Sequence, residues 1–479
     1  MLGTFDRGVL LTEEMARFPN RVVNVHGHQY WDIWYLYDQM KRALATCAEQ
    51  EPGRILSLGV DTWGVDFGLV ARDGSILGLP CTYRDARTKG VMPKFLKRVS
   101  RERIYELTGI QFLAINTLYQ LYAMKLANSP MLEAAGSLLF MPDLFDYLLT
   151  GAMVTEYTVA TTSQLYDSVK REWCGELFEA IGVPLALMQD VAGPGSEVGR
   201  LDRKVCEETG FPDCRVMATA SHDTAAAVAA VPAQGDDWMF ISSGTWSLVG
   251  VEVTKPNRSE AARRLNFTNE GGVGGTYRLL KNITGLWLLQ RLAQEPLAIP
   301  DLDVLVEAAR ASPSFRFFVD PDDWRFAHDW RISDAVHTYC RETKQSSPFA
   351  PGCIARGLLE SLAFKYRQTL EELRQVCPTP VNRIHIVGGG SQNRLLCQMT
   401  ADATGLPVFA GPTEATAIGN IMVQAMGLGF VTTLEEIRDV VRRSYEVKEY
   451  KPRDTGEWDK AADEFRRVMR WRPRDNWKD

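Results

Sequence analysis

Two short segments of the chain hold residue types that suit the transfer of a phosphoryl group. Asp223 begins a run of small residues that predicts a helix, so its carboxylate is expected at a helix N-terminus beside free backbone N–H groups. Further on, a predicted apolar strand breaks at Ser-Ser-Gly-Thr (residues 242–245) and resumes at Trp246. Hydroxyls and bare N–H groups at such a turn suit a phosphate, and a nearby carboxylate can act as a base toward a hydroxyl. Taken singly, the segments are better explained as a helix cap and an ordinary hairpin.

A run of three glycines follows another predicted strand. Residues 384–387 predict a buried strand that leads into Gly388-Gly389-Gly390, and Ser391-Gln392-Asn393 and then a predicted helix that holds Leu395 and Ala403 follow. Glycines at a strand–helix junction permit close approach of the backbone to a nucleotide. The run matches neither the G-x-G-x-x-G nor the P-loop pattern, so by itself it predicts only a tight turn.

Three further features could bind a metal ion or a sugar. Asp61 and Asp66 lie five residues apart across a turn and could hold Mg²⁺ or a polyol, although aspartates in turns are usually solvent-facing caps. His26 and His28 look like a metal pair, but no third ligand is near them in the sequence, which favours loop hydrogen bonding. Trp63 and Trp246 lie at turns, where a ring can stack on a sugar or pack in a core.

The elements that must position these residues alternate between strands and helices, as in an α/β protein. The small-residue helices 224–231 and 415–426 are expected to let two domains approach closely, or to be plain core helices. The polar stretch after Pro232 predicts the boundary between a domain of residues 1–232 and one of residues 233–479. Strands are expected over residues 9–18, 54–60, 66–71, 216–220, 239–253 and 384–387, and helices over 31–48, most of 100–175, 284–295 and 352–376.

Composition excludes several classes of protein. A net charge of −6 argues against binding to a nucleic acid backbone, which needs a basic face. The longest uncharged apolar stretch is far shorter than a membrane span, and no signal peptide is visible at the N-terminus. The nine cysteines include no Cys-x-x-Cys pair, which favours buried thiols in a reducing compartment. The sequence therefore predicts a soluble, cytoplasmic protein without nucleic acid or membrane partners.

In this order along the chain, the segments resemble the FGGY carbohydrate kinases. The stretches at 59–67 and 83–88 are similar to the branch of that family that phosphorylates L-rhamnulose, and the other stretches are general to the family. The resemblance covers essentially the whole chain and rests on residues 59–67, 83–88, 142–144, 221–224, 242–246, 282–287 and 387–393.

The resemblance implies a fold and a reaction. The fold is α/β, with two actin-like (ribonuclease H-like ATPase) domains flanking a cleft. Residues 1–232 then form the sugar-binding domain and residues 233–479 the nucleotide-binding domain. The implied reaction converts L-rhamnulose and MgATP to L-rhamnulose 1-phosphate and ADP. A small-molecule sugar and ATP are the implied partners, Mg²⁺ is the implied cofactor beside ATP, and the protein would be a monomer or a homodimer.

The resemblance also implies roles for single residues. Asp223 matches the catalytic base and would accept the proton of the sugar's 1-hydroxyl. Gly64, His222, Thr224 and Asn282 match sugar contacts. Positions that match nucleotide contacts are Thr245, Gln290 and Gly389, and no residue is assigned to a protein-held metal.

One departure from the family leaves rival functions open. The family begins with a strand and the loop Asp-x-Gly-x-Ser-Ser-Gly-Arg, which clamps phosphate, whereas this sequence starts at the next strand. The first domain is therefore expected to lack its first strand. The rivals are an active kinase whose start lies upstream, a sugar- or nucleotide-binding protein that transfers no phosphate, and a kinase for another ketose or deoxysugar such as fuculose.

Overall fold

A computed structural model describes residues 1–51, 53, 55–296, 299–327 and 331–470. The chain forms two compact units. The first unit comprises residues 1–230, 252–279 and 416–444, and the second comprises residues 231–251, 280–415 and 445–479. The sequence-based boundary after Pro232 assigns residues 252–279 and 416–444 to the second domain, whereas their packing groups them with the first unit. The chain thus returns to the first unit twice, and the sequence of these two segments does not indicate either return.

The helices and strands are numbered in chain order. Up to Ala230 they are β1 (Leu2–Asp6), β2 (Val9–Glu13), β3 (Val22–Val25), β4 (His28–Trp31), α1 (Ile33–Gln50), β5 (Ser57–Gly59), β6 (Phe67–Ala71), α2 (Val91–Phe95), α3 (Arg101–Thr108), α4 (Thr117–Leu126), α5 (Pro130–Ala134), β7 (Ala135–Phe140), α6 (Met141–Thr150), β8 (Thr155–Glu156), α7 (Tyr157–Ala160), β9 (Tyr166–Asp167), β10 (Glu172–Trp173), α8 (Gly175–Ile181), β11 (Val191–Ala192), β12 (Ser196–Arg200), α9 (Arg203–Thr209), β13 (Arg215–Ala218) and α10 (Asp223–Ala229). They continue as β14 (Trp238–Ser243), β15 (Trp246–Val253), α11 (Glu260–Arg264), β16 (Thr268–Gly271), β17 (Tyr277–Thr284), α12 (Trp287–Ala293), α13 (Leu302–Ala311), α14 (Trp324–Ala327), α15 (Ile332–Glu342), α16 (Pro351–Val376), β18 (Arg383–Val387), α17 (Arg394–Thr404), β19 (Val408–Ala410), α18 (Ala415–Gly427), α19 (Leu434–Ser444), β20 (Lys448–Tyr450) and α20 (Thr455–Arg470).

The strands that lead to Asp61 and Asp223 are parallel neighbours. β13 pairs in parallel with β5, with Val216 opposite Leu58, and β12 lies on the other side of β13. Beyond the strand ends the two segments stay together, since Thr62 N donates to Ser221 O at 2.9 Å and Asp223 N donates to Thr62 O at 2.8 Å. Because parallel strands point their carboxyl ends to one edge, residues distant in sequence meet there.

A seven-stranded sheet, in the order β16-β17-β15-β14-β18-β19-β20, brings the other two candidate segments together. β14 and β15 form the predicted hairpin, with Phe240 opposite Gly250. β14 also pairs in parallel with β18, with Ser242 opposite Val387. The hairpin turn and the glycine run therefore leave neighbouring strands at the same end of the sheet.

Several strand and helix boundaries differ from those expected. The strand expected over residues 9–18 ends at Glu13. The helix expected from Trp31 starts at Ile33, because Trp31 pairs with Val22 in β4 and the Asp32 side chain caps the helix by accepting from Tyr35 N. The strand over residues 54–60 is described from Ser57 to Gly59, and Arg54 lies outside the described residues.

Residues 72–74 form a turn after β6, but this turn does not supply the main pairing partner of that strand. Leu77 N donates to Leu69 O at 2.8 Å around this turn. The ladder of β6, however, is formed with β7, where Leu69 lies opposite Leu138. Residues 100–175, which are expected to be mainly helical, therefore also contain the strand β7. A short buried apolar run is compatible with a strand or with a helix, so its periodicity does not decide between them.

The small-residue helices pack on each other within the first unit. α10 and the part of α18 from Thr416 onward are grouped in that unit, and the expectation that these helices let two domains approach closely stays a prediction. A Cβ atom added to Gly419 would lie 1.8 Å from the carbonyl oxygen of Ala226. Glycine is therefore required where the two backbones meet.

No helix in the described part of the chain combines the length and the apolar character needed to cross a membrane.

Candidate active site

Asp223 is the first residue of α10, as its sequence context predicts, with His222 in the cap position. Its Oδ1 atom accepts a hydrogen bond from Thr224 N at 2.6 Å and another from Thr224 Oγ1 at 3.2 Å. The Asp223 side chain is 45% exposed. Among the described residues, Oδ2 accepts no hydrogen bond, so a fixed carboxylate presents one open oxygen at a helix N-terminus. Thr224, itself buried, thus orients Asp223.

Asp61 forms a second carboxylate beside Asp223. Its Oδ2 accepts from Asn420 Nδ2 at 2.6 Å, and the same amide donates to Gly59 O at 3.2 Å. Burial raises the pKa of Asp61 to about 6; the Asn420 hydrogen bond opposes this shift, and the negative charge of Asp223 adds to it. Asp61 and Asp223 therefore interact electrostatically. Nothing in the sequence near Asn420 predicts that its side chain binds Asp61.

Asp66 does not share a site with Asp61. Its Oδ2 accepts from the indole nitrogens of Trp31 and Trp63, at 2.7 and 3.0 Å, and from Tyr83 N at 3.0 Å. Its Oδ1 accepts from Gln120 Nε2 at 3.0 Å. The expected pairing of Asp61 and Asp66 around Mg²⁺ or a polyol is thus not seen, because Asp66 is a buried anchor for aromatic side chains. Trp63 packs against Trp31, with 4.2 Å between the ring centroids.

A neighbouring protein side chain leaves no room for a side chain at Gly64. A Cβ atom there would lie 2.9 Å from Thr162 Oγ1. The same hydroxyl accepts a hydrogen bond from Val65 N at 3.1 Å, and Val65 has a φ of 65°. The tight turn is therefore held against Thr162, and contact of Gly64 with a sugar stays a prediction.

The β14–β15 turn forms a compact group with the start of α12. Gly244 N donates to Trp246 O at 2.8 Å, Gly285 N donates to Thr245 O at 3.1 Å, and Leu286 N donates to Gly244 O at 2.9 Å. A Cβ atom on Gly285 would lie 2.5 Å from the carbonyl carbon of Trp246. Thr245 is half-buried at this turn, and its hydroxyl is the feature that suits a phosphate.

The glycine run lies beside that turn. Gly388 has a φ of 80°, and a Cβ atom on Gly390 would lie 2.0 Å from Ser243 Oγ. Gly389, between them, is exposed and has no atom within 4 Å of the position a Cβ would take. The run is thus packed against β14 on one side and presents bare backbone at Gly389, as a nucleotide contact requires.

The remaining predicted residues are distributed over the two units. His222 joins Asp223 and Thr224 in the first unit, with its Nε2 atom 3.3 Å from Asp223 Oδ1. Asn282 on β17 and Gln290 on α12 are half-buried residues of the second unit, together with Thr245 and Gly389. Contact of Asn282 with the sugar stays a prediction.

Of the His26–His28 pair, His28 contacts a buried carboxylate. His28 Nδ1 lies 3.2 Å from the buried carboxylate of Asp85, which fits the loop role that the sequence favours. Within the described ranges, no group of three or more His, Cys, Asp and Glu side chains is placed to hold a metal ion.

Comparison with known proteins identifies the family to which the chain is similar. Residues 10–230 match the N-terminal domain of the FGGY family of carbohydrate kinases, and residues 239–428 match its C-terminal domain. The chain is 45% identical to a rhamnulokinase of Bacteroides thetaiotaomicron over 98% of this chain and 96% of that protein. It is 44% identical to a rhamnulokinase of Pectobacterium carotovorum over 93% of this chain and 88% of that protein.

Solved structures with low sequence identity share the fold. A ligand-bound xylulose kinase from Lactobacillus acidophilus superposes with a TM-score of 0.78 at 16% identity, covering 96% of this chain and 94% of that one. A glycerol kinase from Plasmodium falciparum, solved with ADP, gives a TM-score of 0.74 at 15% identity, covering 94% and 92%. On the family match and the identity to its relatives, the chain belongs to the FGGY family of carbohydrate kinases.

Proposed function

We propose that the protein transfers the terminal phosphoryl group of ATP to the 1-hydroxyl of L-rhamnulose, which gives L-rhamnulose 1-phosphate and ADP. The sugar and the reaction are supported by the relatives named rhamnulokinase, which match nearly the whole chain. The observation that carries the chemistry is the Asp223 carboxylate, with Oδ1 tied to Thr224 and Oδ2 open.

Asp223 acts in this proposal as the general base. Its Oδ2 accepts the proton of the sugar hydroxyl while the hydroxyl oxygen forms its bond to phosphorus and the bond to ADP breaks. The hydrogen bonds from Thr224 hold the carboxylate in one orientation, so less has to be reorganised during the reaction. His222 and Thr224 contribute further sugar contacts, as do Gly64 and Asn282.

The second unit supplies the nucleotide contacts in this proposal. The hydroxyl of Thr245 binds a phosphate, Gln290 binds the nucleotide, and Gly389 packs against the adenosine. The bare backbone at Gly389 supports the last of these roles. A nucleotide is also the ligand of the Plasmodium falciparum glycerol kinase, whose fold this chain shares.

Mg²⁺ enters the proposal as the partner of the ATP phosphates. In kinases this ion is commonly held by one or two carboxylates together with the substrate phosphates, and it keeps several waters. The carboxylate of Asp61, whose Oδ1 accepts no hydrogen bond from a described residue, fits that limited requirement, and when bound the ion would neutralise phosphate charge.

The proposal places the protein in the cytoplasm, as a monomer or a homodimer. All nine cysteines are present as thiols without disulfide partners, which is typical of a reducing compartment.

A panel of sugars tests the function. Purified protein with ATP and Mg²⁺ is assayed for ADP release with L-rhamnulose, L-fuculose, L-ribulose and glycerol, and the product is located by ³¹P–¹H NMR. We expect the highest kcat/KM with L-rhamnulose, a phosphate on its 1-oxygen, and loss of turnover in EDTA that Mg²⁺ restores. A higher kcat/KM with L-fuculose would overturn the sugar assignment, and ADP release that no sugar stimulates would overturn phosphoryl transfer.

Gly389→Val tests the nucleotide contact. A side chain at this position meets open space in the free protein, so we expect an unchanged melting temperature. It would occupy the surface on which adenosine packs, and each 1.4 kcal/mol of lost binding raises KM for ATP about tenfold. Gly456→Val is the matched control, because Gly456 is also exposed in the second unit with nothing within 4 Å. An equal KM for ATP in the wild type and both variants would remove Gly389 from the nucleotide site.

A further inference from the structure

Two buried charged residues hold the side chain of His222. Arg278, on β17, has no exposed surface, and Glu270, on β16, is 4% exposed. Arg278 Nη1 lies 3.2 Å from His222 Nδ1 and 3.2 Å from Glu270 Oε2. Arg278 Nε donates to Gly271 O at 3.0 Å, which anchors the guanidinium to the backbone. On its other side the imidazole faces Asp223, with 3.3 Å between Nε2 and Oδ1.

The Arg278 contact selects one tautomer of His222. A guanidinium has only donors, so Nδ1 must be the acceptor in the hydrogen bond with Arg278. The competing arrangement, in which an Nδ1 proton is donated to Glu270, is less favoured. Glu270 Oε2 lies 3.4 Å from Nδ1 and makes no hydrogen bond of acceptable geometry with any described residue. A neutral imidazole that accepts at Nδ1 carries its proton on Nε2, toward Asp223.

Glu270 makes it possible to bury this arginine. Burial by itself would raise the pKa of Glu270, but the positive charge of Arg278 opposes this effect, and the pKa lies below its usual value. An ionised Glu270 compensates the guanidinium charge within the protein. Arg278 is thereby kept in place as a charged donor beside the imidazole.

We propose that Glu270 and Arg278 are positioning residues that keep His222 as the neutral Nε2–H tautomer facing Asp223. The Nε2–H group can then stabilise the carboxylate form of Asp223, which is the form that accepts a proton. The effect of this arrangement on turnover rests on the proposed kinase function, whereas the tautomer of His222 does not depend on that function.

Several other ionisable groups act on this histidine and its partners. Glu156, Asp223 and Tyr157 interact with the charge of Arg278. The backbone N–H of His222 donates to Thr158 Oγ1 at 3.1 Å, and that hydroxyl donates to Glu156 at 2.5 Å. Arg278 is the group among these that donates directly to the imidazole, so its removal is the specific perturbation.

NMR of the wild-type protein gives the first test, because it needs no activity. The sequence has six histidines, so a sample labelled with ¹⁵N only in histidine gives few signals, and His222→Gln assigns the one of interest. At neutral pH we expect the ¹⁵N shifts of a neutral ring with the proton on Nε2. A neutral Nδ1–H ring or an imidazolium in the wild type would overturn the proposal.

Arg278→Met gives the second test. Without the guanidinium donor, Glu270 attracts a proton to Nδ1, so we expect the His222 signal to change to an Nδ1–H or imidazolium form. We expect kcat to fall about 10²-fold, as for a misplaced catalytic group, with a smaller change in KM for ATP. Arg278→Lys retains a charged donor and is expected to recover part of both the NMR signature and kcat.

Arg258→Met is the matched control. Arg258 forms an ion pair with Asp167 at 2.7 Å in the same unit. Arg258→Met should lower the melting temperature without changing the His222 NMR signal or the pH profile of kcat. If Arg258→Met and Arg278→Met lower kcat equally, with an unchanged His222 signal, the Glu270–Arg278 pair is only structural. A changed tautomer in a protein that shows no sugar-dependent turnover would overturn the proposed function and leave the positioning role standing.

Discussion

Asp223→Asn is expected to lower sugar-dependent ADP production by about two to four orders of magnitude, the contribution typical of a general base. The amide has nearly the shape of the carboxylate, and its oxygen can still accept from Thr224 N, so the start of α10 should be retained. What it loses is the ability to accept a proton and the negative charge beside the sugar hydroxyl. Steady-state assays with L-rhamnulose and ATP measure the effect, and the melting temperature reports on the fold.

Asp202→Asn is the matched control for this substitution. Asp202 caps α9 of the same unit, and its Oδ1 accepts from Lys204 N at 2.8 Å, so the same chemical change is made at another helix start. We expect wild-type turnover from this variant. Turnover of Asp223→Asn within a few-fold of the wild type would remove Asp223 from the role of base.

The parts of the site that sequence could predict are those with local signals. A run of small residues after Asp223 predicts a helix start, and the structure has α10 starting there. Apolar runs ending in hydroxyl residues or glycines predict the β14–β15 turn and the loop after β18, and both are present. Each of these signals lies within a few residues of the feature it predicts, because caps, turns and strand ends are determined by neighbours in the chain.

The parts that sequence could not predict depend on partners far along the chain. Asn420 binds Asp61 across 359 positions, and Arg278 reaches His222 across 56. Asp61 and Asp66 look equivalent in the sequence, yet β5 delivers Asp61 to the cluster with Asp223 while Asp66 is buried beneath two tryptophans. Spacing within a turn does not say which way each side chain faces, because that is decided by the elements packed against the turn.

Gly419→Ala should have the largest effect on the free energy of unfolding. The added Cβ atom would lie 1.8 Å from the carbonyl oxygen of Ala226, far inside van der Waals contact, and that oxygen belongs to a helix backbone that cannot rotate away. The two helices must separate, so we expect unfolding to require about 1–3 kcal/mol less free energy, against a total of about 5–15 kcal/mol for a typical domain. Denaturant unfolding measures the difference.

Turnover should fall together with stability, because the same helices position the base. Thr416 Oγ1 on α18 donates to the backbone oxygen of Asp223 at 3.2 Å, and Asn420, next to Gly419, holds Asp61. Separating α10 from α18 therefore weakens both contacts. Gly175→Ala is the matched control: Gly175 is also a helical glycine of the first unit, but nothing lies within 4 Å of its Cβ position, so we expect unchanged stability or a gain of about 0.4–1 kcal/mol. If Gly419→Ala were as stable and as active as Gly175→Ala, the close packing of α10 on α18 would not be what holds Asp223 in place.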